Sequence, residues 1–126
     1  MKRTLIMITL ILTLLLHSCG SIRFRGPLSC SYFSIENYQM NQISEVDLTD
    51  DAAKEIISIL NCLEWDAPTV YLDGCANYRY YRFVLQKVTV IYEPQFSRLH
   101  DTTNQRYAYI DLPTQTKLDK LIGNTT

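Results

Sequence analysis

The stretch Tyr78–Glu93, "YRYYRFVLQKVTVIYE", decides the fold class. β-branched and aromatic residues dominate from Tyr78 to Gln86 and again from Val88 to Glu93, and such side chains fit a pleated, half-buried surface. Gln86-Lys87 separates the two runs and can connect paired strands tightly; no glycine marks the turn, so one long bent strand is the alternative reading. Side chains alternate across a strand, which puts Tyr81, Phe83 and Leu85 on one face and Tyr80, Arg82 and Val84 on the other. The first set is the better core face. Glu93-Pro94 ends the run, and Asp73-Gly74 upstream is a strong turn signal.

Working outward, the clearest helix lies N-terminal to this strand-rich segment. Thr49 or Asp50 can cap it by accepting from an unpaired first-turn amide, and Asp51 sits favourably at the positive end of the helix dipole. Ala52, Ala53, Ile56, Ile57, Leu60 and Leu63 recur at helical spacing, so one face packs on a sheet. "YFSIENYQM", Tyr32 to Met40, reads as a first strand, and Asn41–Asp50 as its extension or a second edge segment. Pro68 blocks further helix, and Trp65, the only tryptophan, reads as a lid over the core beside the helix end. Downstream, "QFSRLHDTTNQ" reads as a polar loop. "YAYIDL" is a last strand with Ala108, Ile110 and Leu112 on one face, closed by Pro113. "TQTKLDKLIGNTT" is a short helix capped by Thr114 or Thr116 and ended by Gly123. The expected fold class is α+β, a small antiparallel sheet covered by one main helix (about 50–63) and a short C-terminal helix.

The first residues have a different character. Lys2 and Arg3 precede an apolar run from Leu5 to Leu16 that leads into His17, Ser18 and Cys19. This is the layout of a secretory signal, and the run falls short of the ~20 apolar residues that a membrane-spanning helix requires. Leu16-His17-Ser18-Cys19 resembles the lipobox of bacterial lipoproteins, with an aliphatic residue three before the cysteine and a small residue just before it. His17 departs from the small residue usual at its position, and the resemblance covers only the first nineteen or twenty residues. It implies that Cys19 is the site of lipidation, that residues 1–18 are removed, and that acyl chains moor the protein to membrane lipid. Gly20, which is not Asp, implies the outer membrane of the bacterial cell envelope. A conventional secreted protein is the alternative. The expected organisation is then a signal peptide over 1–18, a lipidated N-terminus and tether over 19–31, and a single α+β domain over 32–126.

Loss of Lys2 and Arg3 with the signal reduces 12 basic side chains to ten, against 13 acidic ones, a net charge near −3. That balance argues against nucleic acid, whose binding needs a basic surface to release counterions. In an exported chain thiols tend to pair. With Cys19 lipidated, Cys30, Cys62 and Cys75 remain, and Cys62 with Cys75 is the expected bridge, closing a short loop between helix end and turn. Three buried thiols are the alternative. No Cys-x-x-Cys occurs and His100 is the one histidine after the signal, so neither metal nor cofactor is expected.

His100-Asp101 is the only pairing that suggests catalysis, and sequence neighbours rarely form such a contact; no enzyme is expected. The nine tyrosines are more informative. "NYRYYRF" interleaves Tyr and Arg, side chains enriched at protein-binding surfaces, which makes Tyr78, Tyr80 and Arg82 the candidate partner-binding residues. An amphipathic strand that happens to use Tyr and Arg is the alternative. The functional expectation is a lipid-anchored envelope protein acting as a small protein-binding module, inhibitor-like or immunity-like, with a structural accessory subunit of an envelope assembly as the second reading.

Overall fold

The computed structural model describes residues 23–66 and 78–123. Among these residues six antiparallel strands form one open sheet in the order β2-β1-β3-β4-β5-β6, where β1 is Ser29–Glu36, β2 Gln39–Val46, β3 Tyr78–Leu85, β4 Val88–Glu93, β5 Arg98–Asp101 and β6 Arg106–Tyr109. Helix α1 (Asp50–Cys62) joins β2 to the segment before β3, and α2 (Leu112–Ile122) follows β6. This is the expected α+β architecture.

The two helices share one face of the sheet. Ile56 and Leu60 of α1 and Leu118 and Ile122 of α2 pack with Tyr81, Phe83, Leu85, Val90, Tyr92 and Leu99 into a single apolar cluster. The parity read from β3 therefore holds, with Tyr81, Phe83 and Leu85 facing the helices. Tyr92 adds a polar tie, its hydroxyl donating to Asp119 Oδ1 at 2.7 Å. Thr49 caps α1 through its side chain, which accepts from the Ala52 amide, and Leu63 follows the last turn. Trp65 packs against the core and donates Nε1–H to the Leu60 carbonyl, which holds it beside the helix end.

Several local expectations change. The run from Tyr32 to Met40 is two strands, since Asn37 and Tyr38 both take positive φ (51° and 64°) and form a two-residue turn with Glu36 paired to Gln39. Such a turn normally uses glycine at its second position, and tyrosine there concealed it. At Gln86-Lys87 the hairpin reading holds, with Lys87 taking the left-handed conformation (φ 64°). The segment after Pro94 is more ordered than a polar loop: a 3-10 turn over Pro94–Phe96 leads into β5. Helix α2 starts earlier than Thr114, with Asp111 as its N-cap and Pro113 inside its first turn, where a missing amide costs nothing. Leu112 is consequently exposed, although Ala108 and Ile110 are buried. Asp73-Gly74 and Cys75 lie outside the described residues.

The folded body also begins before residue 32, which shortens the expected 19–31 tether. Phe24 is 2% exposed in the core, and Ser29–Ser31 already belong to β1. The Asn61 side chain clamps the Phe24 backbone from both sides, accepting from its amide at 2.7 Å and donating to its carbonyl at 3.0 Å.

Candidate protein-binding face

The face of the sheet away from the helices carries the candidate residues. Tyr78, Tyr80 and Arg82 alternate along β3 and so project together, and β1 places Phe33 directly opposite Tyr80. The rings of Phe33 and Tyr80 stack almost parallel with centroids 5.4 Å apart, Tyr78 leans on Tyr80 at the same separation, and the Arg82 guanidinium lies 4.2 Å above Phe33. The three are thus brought together, with one correction. Tyr80 is only 1% exposed and cannot meet a partner directly; Tyr78 and Arg82 are half-buried. Burial also raises the Tyr80 hydroxyl's pKa against the opposing pull of Arg82. Tyr80 therefore builds the surface from beneath.

The accessible part lies one strand further out. Every β2 residue from Gln39 to Glu45 is exposed, and Tyr38 (76%), Met40 (57%) and Ile43 (50%) present large apolar side chains to solvent. Arg82 connects the two regions, its guanidinium lying 3.7 Å from Met40 Sδ across β1. Between Tyr32 and Phe33 the β1–β2 register slips by one residue: Ser44 opposes Tyr32 and Gln42 opposes Phe33, which leaves Ile43 as the extra residue of a bulge. Bulges at sheet edges re-aim side chains. This face has little signature in the sequence, because Met40 and Ile43 fall in a mostly polar run.

At the other end of the same face the polar groups are internally matched. Glu93 and Arg98, both buried, form a two-point ion pair with each bond 3.1 Å, and Arg98 lies 4.9 and 4.8 Å from the Phe96 and Tyr107 ring centres. His100 stacks on Tyr107 at 4.1 Å, and burial first of all lowers its pKa below the ordinary 6.5, opposed by Glu93 and Asp101. Strand alternation sends Asp101 to the helix side. There it is fully buried, accepts from the Thr103 and Asn104 amides and from Asn104 Nδ2, and pairs with Arg106. His100 and Asp101 consequently diverge and do not form an oriented acid–base pair. Their strand escaped the sequence reading because each charged residue's partner, Glu93 or Arg106, is separated from it by a turn.

The cysteines differ in setting. Cys30 is buried in the core, 3% exposed, and burial pushes its thiol up to about 12, so it is suited to packing and not to linking a second chain. Cys62 is an exposed free thiol in the last turn of α1. Its expected partner Cys75 lies outside the described residues, as does Cys19. Among the described residues no group of three or more His, Cys, Asp or Glu side chains converges, and no helix is long and apolar enough to cross a membrane. Comparison with protein families, curated proteins and solved structures finds no match for the chain.

Proposed function

We propose that the chain is a lipid-anchored protein of the bacterial outer membrane that works without catalysis as a small protein-binding module, inhibitor-like or immunity-like, and that its contact surface is the β1–β2 hairpin together with Arg82. The observation that carries the reading is the exposure of Met40 and Ile43 on β2, and of Tyr38 in the turn before it, where β2 is the terminal strand of the sheet and has no outer neighbour among the described residues. An edge strand presents unpaired amides and carbonyls, and natural sheets commonly protect such edges with lysine or proline. β2 contains neither, and the bulge at Ile43, which also protects an edge, leaves Gln39–Gln42 in regular pairing with β1. An extended partner segment can take up its free backbone groups while side chains at alternate positions supply specificity. The signal-like N-terminus with Cys19 supports the anchor, through acyl chains of which two or more hold a protein stably at a bilayer.

The test is capture from native membranes with the acylated protein, comparing the unchanged chain with a Met40→Asp, Ile43→Asp variant. Loss of a specific envelope partner, with the circular dichroism and thermal midpoint of the variant unchanged, is the expected result. An identical set of partners from both proteins would remove the hairpin from the reading.

A further inference from the structure

We propose that the end of the sheet bearing Arg23, Arg25 and Lys87 faces the bilayer, held there by a leash too short to let the domain stand clear. The inference rests on the proposed acylation of Cys19 and adds an orientation to it. Among the described residues Phe24 is the first that is anchored: its ring is buried against Trp65 (centroids 5.1 Å apart) and Arg106, and its backbone is clamped by Asn61. The next residue is fixed as well, because the Gln86 amide donates to the Arg25 carbonyl at 3.1 Å. Only five residue steps separate Cys19 from Phe24, and a chain spans at most ~3.6 Å per residue, so Phe24 stays within about 18 Å of the acylated cysteine. So short a connection leaves no room for a long stalk between the acylated cysteine and the domain.

The fold then determines which surface is brought down. Arg23 and Arg25 flank the clamp and are exposed, and the Gln86 contact sets the β3–β4 turn, with exposed Lys87, beside them. Pro27 and Val84 are exposed along the same depression, which Leu28 and Gln86 also line. The ligand this end suits is the phosphate of lipid headgroups, since cations close to an anionic leaflet are attracted to it. Asp47 and the first turn of α1, with Asp50 and Asp51, follow β2 at this end, so the surface is of mixed charge and the leash sets the orientation more than charge does. β1 runs away from this end for eight residues, roughly 26 Å at 3.3 Å each. The Asn37–Tyr38 tip is therefore carried outward, away from lipid.

The test reconstitutes the acylated chain, its Cys19 modification verified by mass spectrometry, in vesicles of phosphatidylethanolamine and phosphatidylglycerol containing a lipid with a nitroxide headgroup. Lys87 or Tyr38 is replaced, one at a time, by a fluorescent non-natural amino acid. Quenching several-fold stronger at position 87 than at position 38 is expected. Equal quenching, or stronger quenching at 38, in acylated protein overturns the orientation and leaves the anchor standing. A chain without acyl groups at Cys19 overturns the anchor and the orientation with it. A second variant carries a Gly/Ser spacer of roughly twenty residues, flexible over tens of ångströms, between Ser21 and Ile22. Its quenching at 87 is expected to fall toward that at 38, and an unchanged value overturns the leash as the cause.

Discussion

Strands β2 and β4 belong to one sheet and share little else. In β4 four of six residues are buried, including Val90 and Tyr92 in the core and Glu93 in the ion pair of the outer face. In β2 all residues but Val46 are exposed. Apolar burial is the main favourable term in folding, so the centre of the sheet supplies stability and the hairpin margin contributes little. A margin with little structural duty can vary in sequence to suit a partner without endangering the fold. The difference also explains why the proposed contact residues, Arg82 excepted, lie beside the Tyr-rich strand β3 and not on it: rings as large as Tyr80 at the middle of a sheet are needed for packing.

The comparison breaks most visibly at its buried side. Phe83→Ala, at a site with no solvent exposure, is expected to cost about 4 kcal/mol by loss of transfer energy and creation of a cavity, read from the denaturant midpoint. Glu93→Ala should cost about 3 kcal/mol, since it leaves the Arg98 charge buried without its carboxylate. A value under ~1 kcal/mol for an exposed ion pair is the usual finding, and such a result would mean that the outer face opens to water in solution.

A pH series sharpens the same contrast. Burial is the first cause raising the pKa of Tyr81, to about 12, and of Tyr92, whose proton the Asp119 bond also retains. The folded state therefore keeps protons that the unfolded chain gives up near pH 10, and stability is expected to fall as pH rises from about 10 toward 12. Tyr81→Phe should flatten that slope in urea titrations at stepped pH. The smallest effects are expected at the margin: Met40→Ala and Ile43→Ala should each change stability by less than ~0.5 kcal/mol, while weakening partner capture. A cost at Ile43 comparable to that at Phe83 would show that the hairpin is packed in solution, and the comparison would fail.

The fold was legible where local and tertiary preferences agree. Thr49 and the spacing of Ile56 and Leu60 marked α1, and alternation from Tyr80 to Leu85 separated the faces of β3 correctly. It was obscured where a partner distant in sequence overrides local character. Asn37-Tyr38 turns the chain without glycine, and Arg98 and Asp101 enter a strand because Glu93 and Arg106 neutralise them. The candidate face was half legible. Tyr78 and Arg82 do share a surface, but alternation alone gives no sign that Phe33 and its neighbours bury Tyr80, or that Met40 and Ile43 form the accessible rim.

One small feature limits what the open margin can do. On the far side of the sheet the Asp66 amide bonds to the Tyr107 carbonyl at 2.9 Å, so the short terminal strand β6 already has a neighbour along its outer side. Among the described residues, strand addition is therefore impeded at Tyr107 on β6 and not along β2. A molecule that docks a strand on β2 uses up the hydrogen-bonding row of that edge, and two copies joined through β2 would meet further growth at a flank that Asp66 partly covers, so fibre-like growth, the common hazard of sheets with two bare flanks, is hindered beyond the first step.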